Sequence, residues 1–128
     1  MVGISFSSAD FVAKIRGGSK TTTIRPSNPK REEQMRRLGL HLYYKQRTPQ
    51  CSFIGYAWPE EFETFDLQTW LMNKATEEDG IEDGFKNEHS SALGAMREYF
   101  ENEHGMYTRI HFRVIDKATF EMYRMGVD

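Results

Sequence analysis

Lys20, Thr23 and Arg25 stand close together in the segment Gly17-Gly18-Ser19-Lys20-Thr21-Thr22-Thr23-Ile24-Arg25. An ammonium, several hydroxyls and a guanidinium at this spacing suit a phosphate, a nucleobase or an amide carbonyl. Side chains alternate across a strand, so Thr21, Thr23 and Arg25 are expected to point one way and Thr22 and Ile24 the other. Lys20 would lie in the preceding turn and lean over the first group. Threonine also favours strands for its shape alone, and an ordinary edge strand accounts for the same residues.

The flanking pattern supplies elements to hold this cluster. Residues 3–6 alternate weakly, as a short strand would. Ser7-x-x-Asp10 reads as a helix start, and Gly17 and Gly18 as its stop. Pro26 ends the threonine strand. Ser27-Asn28-Pro29 is a turn signal before a basic helix from Pro29 to Leu38, closed by Gly39. Strands follow over 40–46 and 51–58, joined by a hairpin loop at 47–50. An apolar path through Phe62, Phe65 and Leu67 leads into a helix near 67–77, and Glu77-Glu78-Asp79-Gly80 reads as a solvated break. Leu93, Met96 and Phe100 mark an amphipathic helix. Residues 106–115 form the clearest strand, with Met106, Thr108, Ile110, Phe112 and Val114 expected inside and Tyr107, Arg109, His111 and Arg113 outside. A last helix would carry Phe120 and Tyr123.

The 128 residues fit one domain, and nine Phe, six Tyr and two Trp can fill its core. Charge is unevenly placed: residues 14–47 hold ten Lys/Arg against Glu32 and Glu33, whereas residues 60–103 hold thirteen Asp/Glu against three Lys/Arg. A basic face for a polyanion would follow if the first set shares a surface; mutual neutralisation would follow if the two halves pack together. Arg25, Lys30, Arg31, Arg36, Arg37 and Lys45, with Tyr43 interleaved, are the candidates for backbone and base contacts. Trp58 is a candidate to close a cleft over a base. Tyr107, Arg109, His111 and Arg113 would make either a phosphate-contacting stripe or cross-strand ion pairs. The single Cys51 has no partner for a disulfide, and no Cys/His spacing points to zinc. His41, His89 and His104 are isolated. With neither a signal-peptide pattern nor a membrane-length apolar run, the sequence predicts a cytoplasmic protein without a membrane partner, metal or cofactor.

Gly18-x-Lys20-x-x-Thr23-x-Arg25 resembles the G-x-K-x-x-E-x-R signature of ASCH domains in the PUA-like superfamily, with threonine at the glutamate position. Ile81-Glu82-Asp83-Gly84-Phe85 resembles the E-G-F segment that precedes a helix in that family. Together the two cover about residues 3–115. The resemblance implies an α+β fold, a small PUA-like β-barrel with flanking helices, and a cleft for RNA, a nucleotide or a modified nucleoside. Thr21 and Arg25 would be among its binding residues. Threonine at this position is similar to bacterial N4-acetylcytidine amidohydrolases, which would make Lys20, Thr23 and Asp83 (or Glu82, with a shift of one) catalytic. Binding is the leading expectation and deacylation of an acylated base the alternative. A metal-independent ribonuclease and a protein-interaction adaptor using the acidic half complete the alternatives.

Overall fold

The computed structural model describes residues 2–87 and 91–126, so His89 lies outside the described residues. The order is β1 (Gly3–Phe6), α1 (Ala9–Gly17), β2 (Thr22–Pro26), α2 (Pro29–Leu38), β3 (Leu40–Tyr44) and β4 (Ser52–Asp66). Then come α3 (Leu67–Asn73), α4 (Glu77–Glu82), α5 (Ala92–Tyr99), β5 (Met106–Ile115) and α6 (Lys117–Arg124). The strands form one sheet in the order β1-β3-β4-β5-β2. Only β1 and β3 are parallel; the other pairs are antiparallel.

The long strand β4 organises the sheet. Its first part pairs with β3, and the stretch from Tyr56 to Asp66 pairs with β5. The apolar path expected to run into a helix is thus mostly strand. Pro59 lies beyond the end of the β3 pairing, where its missing N–H costs no ladder bond on that side. The register with β5 slips between Pro59 and Glu61, and such a bulge bends a strand. The sheet curls far enough that its edge strands face each other: Arg25 of β2 donates from Nη2 to the Ser5 carbonyl of β1 at 2.9 Å.

Two apolar clusters lie on the sheet. One gathers Ile4, Phe6, Val12, Ile15, Met35, Leu40, Leu42, Ile110 and Phe112 beneath α1 and α2. The other joins Ile24, Leu67, Trp70, Leu71, Phe85, Met96, Phe100 and Tyr107 through α3 and α5. Phe11 touches both. On a further face, Phe120 of α6 packs its ring against His41, Tyr56 and Trp58.

Three local expectations change. The α1 cap is Ser8, whose side chain accepts from the Phe11 N–H. Residues 77–82 are helical rather than a solvated break, because Thr76 and Asp79 form a reciprocal capping box and the acids suit a helix N-terminus. In β5, Tyr107 and Arg109 are buried along with Thr108, Ile110 and Phe112, while Met106 and Val114 are exposed. Alternation failed there because helices cover the face expected to meet water.

Arg109 fastens that cover. It is 4 % exposed and reaches Asp79 at 2.7 Å, Glu82 at 3.3 Å and Glu63 at 3.6 Å. Two of these acids are on α4, so one guanidinium pins the helix to the sheet. His111 meets Glu63 at 2.6 Å. The cross-strand reading of these β5 cations therefore describes Arg109 and His111. Removing one partner of a buried charge cluster strands the others. Arg109→Ala should lower the urea-unfolding free energy by about 3 kcal/mol, whereas truncating exposed Glu61 should change it little.

Candidate functional site: a cleft at the seam of the sheet

The seam between β1 and β2 opens into a cleft of about 270 Å³. Lys20, Thr23, Arg25 and Asp83 all line it. The two sequence segments that carry the resemblance therefore meet in space.

Gly18 sets the position of Lys20. It closes α1 in the left-handed conformation, φ 85°, with its N–H on the Ile15 carbonyl. The Ser19 and Lys20 N–H groups both return to the Lys14 carbonyl. The chain then turns inward, and Thr21 ties its N–H to the Glu82 carbonyl at 2.8 Å. Lys20 ends up 2 % exposed. Its Nζ donates to the Thr22 carbonyl at 2.7 Å and the Asp83 carbonyl at 2.6 Å. The ammonium lies 4.6 Å from the Phe11 ring centre and 3.9 Å from Asp83 Oδ2.

Asp83 caps the end of α4 and accepts from the Thr22 hydroxyl at 2.7 Å. Glu82 turns the other way, to Arg109. The acid at the site is therefore Asp83. Gly84 follows with φ 92°, and a Cβ there would stand 2.9 Å from the Lys20 side chain and 3.1 Å from Phe11. The glycine of this segment is needed twice, for the backbone angle and for the room Lys20 occupies. Lys14 holds the same loop, donating to the Gly84 and Lys86 carbonyls at 2.7 Å each.

Arg25 Nε donates to Thr23 Oγ1 at 3.0 Å, which leaves the threonine hydroxyl hydrogen for a ligand. The guanidinium also lies over Phe6, 5.0 Å from its centre. Aromatic residues make the opposite wall: Phe11, Phe85, Tyr99, Phe100 and Tyr107. Phe85 contacts Phe11 edge-on at 5.3 Å and Tyr99 at the same distance. Tyr99 remains 61 % exposed, a flat ring at the mouth. The Tyr107 hydroxyl donates to Glu103, which also lines the cleft.

Burial governs the titration of this group. It lowers Lys20 to about 8 against the opposing pull of Asp83, and the charges of Arg25, Lys14 and Arg109 lower it further. Burial raises the Asp83 carboxyl, although Lys20 and the Thr22 hydrogen bond favour its ionised form. A lysine lowered to about 8 beside a carboxyl raised by burial is a pair whose shifts suit acid–base work.

The other sequence candidates lie outside this cleft. Thr21 contributes its backbone to the seam but does not line the cavity. Trp58 packs against Phe120 and Tyr123 under α6. Tyr43 meets Phe53 edge-on, and Lys45 lies against Tyr44. Arg36 covers the Phe62 ring at 4.3 Å and pairs with Glu33; Arg37 is exposed. The charge run of α2 does not converge as a run, because consecutive helical residues point in different directions. Conversely, Thr22, Tyr99 and Glu103 carried no sequence signal for the site, and Tyr107, a candidate for a phosphate-contacting stripe, lines this cleft instead. Their proximity arises from α4, α5 and the turn before β5.

Among the described residues, no group of three or more His, Cys, Asp or Glu could hold a metal. None of their helices is long and apolar enough to cross a membrane.

The architecture is the ASCH fold: a curled mixed sheet with its helices, matched over almost the whole chain by solved ASCH structures. Crystal structures of two point mutants of ASCH from Zymomonas mobilis match at 21% sequence identity, covering 98% of this chain, with TM-scores of 0.52 and 0.51. They are covered to 80% and 82% of their own length. The unmutated ASCH protein from Zymomonas mobilis matches with a TM-score of 0.50 at the same identity and is covered to 80%. No protein-family profile and no curated protein matches the sequence.

The lowered Lys20 value has a measurable consequence. Between about pH 8 and the ordinary lysine range, the unfolded chain holds a proton that the folded chain has released. Stability should therefore rise with pH across that window. Wild type should gain up to roughly 3 kcal/mol relative to Lys20→Gln between pH 7.5 and 10.5, read by urea unfolding of both proteins.

Proposed function

We propose that this chain binds a nucleobase-bearing ligand, either RNA, a nucleotide or a modified nucleoside, in the seam cleft. One observation carries the reading: Lys20, Thr23, Arg25 and Asp83 converge on a single cavity faced by aromatic rings. A base has an apolar face for stacking and a polar edge for hydrogen bonds, and the cleft offers both. Tyr99 is the accessible stacking ring. Arg25 and the Thr23 hydroxyl supply donors, and Glu103 supplies an acceptor. An exposed surface of basic residues is not required, so Arg36 and Arg37 are spectators.

A second reading is favoured by a specific feature, the Arg25 hydrogen bond on Thr23 Oγ1. A donor aimed at that oxygen stabilises negative charge on it and so eases the loss of its proton to a nearby base. In this reading Thr23 attacks the acetyl carbonyl of N4-acetylcytidine, neutral Lys20 takes the hydroxyl proton, and protonated Asp83 gives a proton to the departing amine. Water then releases acetate from the threonine ester. The rate would rise with pH towards the Lys20 value near 8.

Fluorescence anisotropy with a short labelled single-stranded RNA tests binding. Tyr99→Ala should weaken it by about 1–3 kcal/mol, as for other base-stacking rings, and Arg36→Ala/Arg37→Ala should not. Binding that ignores Tyr99 would remove the cleft from the reading. For catalysis, cytidine release from N4-acetylcytidine should vanish in both Lys20→Ala and Thr23→Ala, with no further loss in the double variant. Wild-type protein that releases no cytidine between pH 6 and 10 would leave binding alone.

A further inference from the structure

A larger cavity of about 460 Å³ adjoins the cleft along the same seam. The two share Ser5, Arg25 and Pro26, so Arg25 stands as their common wall. The far wall comes from α2, through Arg31, Glu32 and Met35, and from the turn after β3, through Gln46 and Arg47. Three guanidiniums therefore face one space with one carboxylate. Arg47 is presented by a turn in which both Lys45 and Arg47 adopt positive φ, 48° and 68°. Side-chain-bearing residues take that conformation only where the surroundings hold them in it.

The β1 edge adds to the donor field. His41 and Lys45 donate their N–H groups to the Val2 and Phe6 carbonyls, so alternate residues of β1 serve the β3 pairing. Gly3 and Ser5 turn their backbone groups to the seam instead. Their carbonyls are covered by Arg31 and Arg25 respectively. The acceptors of this edge are thereby neutralised, and the cavity is dominated by donors. Glu32 is the exception. It is 7 % exposed, and its Oε2 accepts from the Asn28 N–H.

We propose that this second cavity is a phosphate subsite, in which Arg31 and Arg47 hold the phosphate of a nucleotide whose base lies beyond Arg25. Planar guanidiniums match phosphate oxygens in pairs, and the space beside a bound base must take its sugar and phosphate. The proposal rests on the base-binding reading for the identity of the ligand, but its cationic chemistry can be probed separately. It assigns the α2 segment a role through Arg31, on the face of that helix opposite in effect to Arg36 and Arg37.

Isothermal titration calorimetry with cytidine, its 5′- and 3′-monophosphates and inorganic phosphate tests it. At least one monophosphate should bind wild-type protein roughly tenfold or more tightly than cytidine, a difference of about 1.4 kcal/mol. Arg31→Gln/Arg47→Gln should abolish that preference and leave cytidine affinity unchanged. Both arginines are exposed, and urea unfolding of the double variant checks that the fold survives loss of the Arg31 hydrogen bond to the Gly3 carbonyl. Glu32→Gln keeps an acceptor for Asn28 but removes the opposing charge, and should tighten the monophosphate several-fold. Cytidine and its monophosphates binding equally would overturn the subsite and leave the base reading in place. Inorganic phosphate binding that depends on Arg31 and Arg47, without any cytidine binding, would support the subsite and remove the base reading. A phosphate preference that survives in the double variant, or no binding of any of the three phosphate compounds, overturns the proposal.

Discussion

A lysine ammonium withdrawn from water must be given acceptors, and Lys20 takes them from the backbone. Its two partners, the Thr22 and Asp83 carbonyls, belong to segments far apart in the chain. Removing a charge from water costs several kcal/mol unless such partners are held in place. Much of the surrounding structure is arranged accordingly. Gly18 turns the chain inward, Gly84 leaves space for the lysine stem, and Phe11 faces the ammonium. Thr21 and Thr22 bind the same end of α4 by backbone and hydroxyl. The polar core of the site and the docking of α4 are thus one structure.

The sheet leaves its two edges unpaired by a ladder, and the cleft opens at this gap. Unpaired strand edges invite foreign strands. Here guanidiniums occupy the carbonyls instead: Arg25 on Ser5 and Arg31 on Gly3. A side-chain bridge spans a wider gap than a backbone hydrogen bond does, so the barrel remains ajar. The same arginines that shield the edge also line the space beside it.

Much of this was legible in the residues. The glycine stops of α1 and α2, the run of β5 and the α6 tail follow from capping and alternation. The pairing of Lys20, Thr23 and Arg25 follows from strand spacing plus the family resemblance. Four features were not legible, each for a physical reason. Alternation assigns two faces but not what covers them, so burial of Arg109 and Tyr107 by α4 and α5 could not be seen. An acidic tract reads as solvated unless its cap is weighed, and Thr76 made it a helix. A cluster of basic residues on a short helix fans out, so Arg31 enters a cavity while Arg36 lies on Phe62. The choice between Asp83 and Glu82 depended on Arg109, many residues later.

The edge strand β2 has its ladder pairing with β5, to which Thr22 pairs at His111 and Pro26 at Tyr107. Lys20, Thr23 and Arg25 precede Asp83 in the chain, but their strand has no ladder neighbour until β5 is in place. β1, β3 and the first part of β4 can pair without it. A chain folded only that far carries a half-sheet without the cleft. Completion of the cleft is thus a long-range event: it waits on a strand far along the chain from the residues that it positions.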